Sequence, residues 1–287
     1  VVNFAISAIS GQASVNTASI TIQAGDPDHL MVKVAASGGV AGLAFTTQPQ
    51  IEIQTAANTV VTTAPGTTLV VTATMTSADG SLIGTATATA SAGVATFTDL
   101  GIGGKSTGSY TISYSATFNT TNLTIDQTGI SITAGAATKL ILTTAAVGFV
   151  NQANFTTQPA VTAQDYYGNT VTSWATSVTV SSNVGGFVGT TTISFTNGVA
   201  TYSGLAPSGV IGSRTITFTS GALATASQTF DLTFGAATKL AIKTSAAGFV
   251  NRANFTTQPE IYIQDASGNV VTNSTASVLV EIDSGTI

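Results

Sequence analysis

The chain of 287 residues carries one histidine, twelve carboxylates and no cysteine, and their spacing decides what chemistry is open to it. His29 has no cysteine to pair with and no serine and acid set around it. Neither a nucleophilic triad nor a histidine metal site can be assembled there. It reads as a half-exposed strand residue. Asp79, Asp99, Asp126, Asp231, Glu260, Glu281 and Asp283 are scattered, most of them at expected turns or strand ends. A glycosidase needs two carboxylates facing one cleft, and nothing in this spacing brings two together. The expectation is a non-catalytic chain without a cofactor. Asp26 and Asp28, in QAGDPDHL, are the candidate metal ligands, because calcium takes carboxylate and carbonyl oxygens at such a junction. An acidic linker with Pro27 as a rigid spacer is the preferred reading. Asn119, Asn122, Asn154, Asn254 and Asn273 each open an Asn-X-Thr/Ser triplet and are candidate glycosylation sites. With 54 threonines in the chain, such triplets also arise by chance.

The elements that would hold these residues are repeated. GFVNQANFTTQP at 148–159 returns as GFVNRANFTTQP at 248–259 and, more loosely, as GLAFTTQP at 42–49. Phe45, Phe155 and Phe255 are separated by 110 and 100 residues, and the flanking text moves with them. Lys139-Leu140-Ile141-Leu142 precedes one copy and Lys239-Leu240-Ala241-Ile242 another, with His29-Leu30-Met31-Val32-Lys33 before the first. QIEIQTAANTVVT, AVTAQDYYGNTVT and EIYIQDASGNVVT follow, and GVATFTDL at 93–100 matches GVATYSGL at 198–205. Units of this length are small domains rather than solenoid repeats.

Charged residues make up only 7% of the chain, against roughly 25% in ordinary soluble domains. Disorder is excluded, because 43% of residues are hydrophobic. Nucleic-acid binding is excluded by a net charge of −5 and seven Lys and Arg. No stretch approaches the ~18 apolar residues of a membrane span, since Thr, Ser and Gly interrupt every run. Without cysteine the fold must rest on buried apolar area alone.

The local pattern is β throughout. Ile216 and Phe218 alternate with Thr215, Thr217 and Thr219, and Ile112 and Tyr114 repeat the scheme, a period of two that describes half-buried strands. Gly, Asn and Asp clusters punctuate the chain every 8–12 residues. Seven or so short strands in each unit predict an all-β fold of tandem immunoglobulin-like β-sandwich domains in an extended array. The expected boundaries are 1–24 for the C-terminal strands of a preceding domain, 25–134 and 135–234 for two domains, and 235–287 for the N-terminal half of another. In FTTQP, Phe155 is expected to plug a sandwich end and Pro159 to open the next strand. Asp165 and Asp265, in the QDxxGN turns, are expected to accept turn N–H groups rather than bind metal.

The ordered series TKLxxxTxxxGFVNxANFTTQPxxxxQDxxGNxVT followed by NGVATYSGL resembles the tandem Ig-like repeats of large bacterial surface proteins. The resemblance implies an extracellular, cell-surface location and a structural role in a fibre, sheath or surface layer. The first repeat departs from it with AGDPDHL and QTAANT. The charge-poor, hydroxyl-rich faces suit self-association with identical subunits or neighbouring repeats, insensitive to salt. Other surface components or glycans are further expected partners, nucleic acid is not, and no membrane-spanning segment is expected. The alternatives are the stalk of an adhesin whose binding tip lies elsewhere, and a carbohydrate-binding or spacer module of a secreted hydrolase. The last needs an aromatic platform, for which Tyr166, Tyr167 and Trp174 are the material at hand. Residues 1–24 match 211–234, so the chain is expected to be a window on a longer polypeptide. The alternative is strand complementation, in which these N-terminal strands complete the C-terminal half-domain of the next subunit.

Overall fold

The computed structural model describes residues 25–63 and 66–281, so the strands expected within 1–24 lie outside the described residues. The chain forms two compact units, one reaching to Gly135 and including Tyr167–Asn169, the other taking in Ala136–Tyr166 and the chain from Thr170 onward.

The first unit is built from β1 (His29–Val34), β2 (Gly39–Val40), β3 (Leu43–Ala44), β4 (Gln50–Gln54), β5 (Val70–Met75) and β6 (Gly80–Ile83). It continues with β7 (Thr87–Thr89), β8 (Val94–Thr96), β9 (Gly101–Gly104), β10 (Tyr110–Phe118), β11 (Thr121–Ile130) and β12 (Ile132–Thr133). A β1-β4-β8 sheet faces a β11-β10-β5-β7 sheet, with β3-β9-β6 and the parallel pair β12-β2 at the margins. Ile51 and Ile53 from one sheet meet Val71, Ala73, Ile112 and Tyr114 from the other in a single core. This is the two-sheet immunoglobulin-like sandwich the alternation predicts.

The second unit repeats the plan with β13 (Lys139–Thr144), β14 (Ala160–Gln164), β15 (Val178–Ser182), β16 (Gly186–Val188), β17 (Thr192–Ile193) and β18 (Val199–Thr201). Then come β19 (Ala206–Ser208), β20 (Gly212–Thr219), β21 (Ala226–Leu232), β22 (Lys239–Thr244) and β23 (Glu260–Gln264). Sheets β13-β14-β18 and β17-β15-β20-β21 enclose a second core. In β20, Arg214, Ile216 and Phe218 are buried while Thr219 is exposed. Among the described residues, β22 and β23 pair only with each other. The same bulge interrupts β1, β13 and β22, between Val32 and Val34, Leu142 and Thr144, and Ile242 and Thr244.

One expectation shifts by a residue. Pro49 and Pro159 stand just before β4 and β14 rather than opening them. A proline has no N–H for the ladder, yet its carbonyl still serves: Phe97 N–H donates to Pro49 O at 3.1 Å and Tyr202 N–H to Pro159 O at 3.0 Å.

Candidate functional site

The repeated strings turn out to be parts of two hydrogen-bonded devices. The first is internal to each sandwich. Gln158 Nε2 donates to Phe155 O at 3.1 Å and to Leu205 O at 3.0 Å, and Leu205 N–H returns a bond to Gln158 Oε1 at 3.1 Å. Gln48 treats Phe45 and Leu100 identically, at 2.9, 2.9 and 3.0 Å. Leu100 and Leu205 end the GVATFTDL and GVATYSGL strings, so the glutamine of FTTQP ties one repeated string to the other. Phe155 is buried beside it, edge-on to Phe149 and Phe230, which stack at 4.2 Å. The chemistry of this amide is structural, since both ends are committed to backbone groups.

The second device is the QDxxGN turn. Asp265 Oδ1 accepts the N–H groups of Ser267 at 3.0 Å and Asn269 at 2.9 Å, which closes the turn on its own aspartate. Gly268 supplies the positive φ, +88°, that this turn requires. Asp265 Oδ2 reaches beyond the turn and accepts Asn151 Nδ2 at 2.7 Å, the Gly235 N–H at 2.9 Å and Asn269 Nδ2 at 2.9 Å. Asn269 in turn donates to Gly209 O at 2.9 Å and accepts the Ile211 N–H at 3.0 Å. Asn151 Oδ1 accepts Gly209 N–H at 3.0 Å. Three buried polar side chains, Asn151, Asp265 and Asn269, thus pin the turn to the 209–211 loop and to Gly235. Burial pushes the Asp265 carboxyl up, but the Gly235 N–H, the Asn269 and Asn151 side chains and the Asn269 N–H together outweigh it and hold its pKa at about 2.

The loop that receives the turn is itself braced from within. Arg214, buried, donates through its Nη1 to Ser208 O at 3.1 Å and through its Nη2 to Val210 O at 2.5 Å. Burial lowers its pKa. In the first unit Tyr110 does the same work, donating its hydroxyl to Lys105 O at 2.8 Å. There Asn169 Oδ1 accepts the Ser106 N–H at 2.7 Å, and Asn169 Nδ2 donates to Gly104 O at 2.9 Å. Asp165 is as deeply buried as Asp265.

Of the sequence candidates, Asp165 and Asp265 belong to these turns, and the described contacts of Asp265 are those of a turn former. Asp26 and Asp28 are exposed, with Asp28 Oδ2 3.1 Å from His29 Nδ1. Among the described residues no three His, Asp or Glu side chains stand together to hold a metal. His29 Nε2 lies 3.2 Å from Gln54 Oε1. Asn119, Asn122, Asn154, Asn254 and Asn273 are all exposed. The aromatic trio is divided: Tyr166 is exposed, Tyr167 packs against the first core, and Trp174 packs against the second with its Nε1 donating to Ser220 Oγ at 3.0 Å. Sequence reasoning passed over Gln48, Gln158, Asn151, Asn269 and Arg214. The signal available for the first four was their recurrence inside the repeated strings.

No helix among the described residues is long and apolar enough to cross a membrane. No family model matches the chain, and no curated protein matches it in sequence. Solved structures similar to it include the Escherichia coli adhesin FdeC, 16% identical, over 88% of this chain and 79% of that one, with a TM-score of 0.38. Domains 4–9 of the surface layer protein SbsC are 16% identical over 86% of this chain and 38% of that one, with a TM-score of 0.30. A β-glycosidase from Bacteroides vulgatus is 9% identical over 72% of this chain, with a TM-score of 0.29, and the match spans only 25% of the glycosidase.

Proposed function

We propose that this chain is a non-catalytic structural segment of an extracellular surface protein, built of immunoglobulin-like domains at 25–134 and 135–234 flanked by the last strands of one at 1–24 and the N-terminal half of another at 235–287, and assembled into a fibre, sheath or surface layer. The observation that carries the reading is the turn network of Asp265, Asn269 and Asn151. A carboxylate as deeply buried as any among the described residues is spent on seating one repeat against the loop of the repeat before it. Its lone pairs are taken by N–H donors, which suits a fixed joint and not a reacting group. The outer faces of the sheets carry Thr and Ser, with hydroxyl pairs such as Thr179 with Thr192 and Thr215 with Thr229, both at 2.8 Å. Such faces pack against neighbours with little electrostatic repulsion. The exposed Asn triplets are open to sugars in an organism that attaches them. A carbohydrate-binding role has less support, because only Tyr166 of the aromatic trio is exposed.

Electron microscopy of the native cell surface tests the proposal. An ordered lattice or a continuous fibre carrying this chain is the expected result. Isolated stalks would replace it with the adhesin reading, and a location inside the cell would overturn it.

A further inference from the structure

The two seated turns, QDYYGN and QDASGN, differ at two positions, and at the second of them the loops underneath differ to match. In the first unit Tyr167 follows the buried aspartate by two positions, and its ring lies over Gly42 and Gly103. A Cβ built on Gly42 would stand 2.9 Å from Tyr167 Cε2, and one on Gly103 would stand 2.7 Å from Tyr167 Cζ. In the second unit the corresponding residue is Ser267, which donates its hydroxyl to Asn151 Oδ1 at 3.2 Å and accepts from Gln152 Nε2 at 3.5 Å. The backbone bonds identify the matching positions. Gly42 N–H donates to Ile102 O as Gln152 N–H donates to Pro207 O, and Asn169 reaches Gly104 O as Asn269 reaches Gly209 O. Gly42 therefore corresponds to Gln152, and Gly103 to Ser208. Where the turn presents a large ring, the loop offers two glycines. Where it presents a serine, the loop fills the same two positions with side chains.

We propose that these turns are keyed: Tyr167 with Gly42 and Gly103, and Ser267 with Gln152 and Ser208, are specificity pairs that decide which turn seats on which loop. The partner each loop selects is another repeat of the same kind of chain. The inference rests on the structural-repeat reading above and deepens it. Close-packed interfaces discriminate by steric clash as much as by attraction, and a phenol ring cannot share its volume with a Cβ. The glutamine at 152 already sits at a φ of +58°, so replacing it by glycine removes a side chain without straining the backbone.

Amide hydrogen exchange on the full chain tests both pairs separately. In Gly103→Ser the Ser106 N–H, bonded to Asn169, is expected to exchange at least about tenfold faster, while the core amides of β10 hold; tenfold corresponds to about 1.4 kcal/mol. Adding Tyr167→Ser to that variant is expected to restore most of the protection. In Ser267→Tyr the amides of Gly235 and Ile211 are expected to lose protection, and adding Gln152→Gly with Ser208→Gly is expected to return it. Full protection in either single variant, or failure of the second change to rescue, overturns the keying. If Gly103→Ser loosens β10 as well, the Ser267→Tyr pair decides. These readouts need no cell surface, so keyed turns in a protein that forms no surface array would sink the proposed function and leave this inference standing.

Discussion

Residues 135–181 and 235–281 spell nearly the same text 100 positions apart, yet they are buried in opposite ways. Leu140 is 2% exposed and Leu240 57%, and Phe155 is 3% exposed and Phe255 41%. The turn residues do not follow this split: Asp165 and Asp265 are both 1% exposed, and Val171 and Val271 are both buried. The second unit therefore holds two separate sources of order. The Asp265 turn is buried against the 209–211 loop, whereas the β13 and β14 sheet is buried by later strands of its own sandwich. The β22 and β23 hairpin has the first without the second.

The sharpest way to break this comparison is to truncate the same phenylalanine twice. Phe155→Ala is expected to destabilise the second sandwich by about 3–5 kcal/mol, and Phe255→Ala by less than about 1 kcal/mol, measured by urea unfolding with exchange to locate the effect. Equal losses would show that Phe255 is as well packed as Phe155. Removing the turn's anchor comes next. Asp265→Ala leaves the donors of Gly235, Asn151 and Asn269 without their acceptor and is expected to open the turn by roughly 3 kcal/mol, with the β14 and β20 core amides unaffected. Acid gives the same information without mutation. The carboxyl's pKa of about 2 lies below its ordinary 3.8, so its contribution is complete above about pH 4 and is lost as the pH falls through 2. Protection of the Gly235 amide should fade in that window.

Smaller effects sharpen the same contrast. Gln158→Ala removes both of its bonds to Leu205, leaving Leu205 O only the Phe155 N–H, and is expected to cost about 2 kcal/mol, whereas Gln258, bonded only to Phe255 O among the described residues, should be replaceable at almost no cost. Brief trypsin treatment should cut after Arg252, exposed at its turn, well before it cuts after the buried Arg214. Mass spectrometry of the first fragments reads the order.

Much of this was legible in the sequence, and the limits have physical causes. The alternation in β10 and β20 gave away the sheets, because a strand's two faces are written two residues apart. The aspartates of QDxxGN were recognisable as turn formers, because their targets lie two and four residues on. Asn151 is 114 residues from Asp265, and Leu205 is 47 from Gln158, where it offers only a backbone amide that any residue would supply. Such partners leave no mark in local text. Arg214 shares the parity of Ile216 and Phe218, yet its charge gives no hint of burial, and only the buried Tyr110 at the matching place, with its own bond to a loop carbonyl, reveals what the position requires.

The glutamine bond between FTTQP and its distant leucine also sets a timetable. When a repeat leaves the ribosome, its first half arrives with Phe, Leu and Val faces ready and nothing to cover them, because that leucine is still about fifty residues behind. Within the second unit the finished sandwich holds the Asp265 turn of the following segment, which limits the wandering of an exposed β22 and β23 edge.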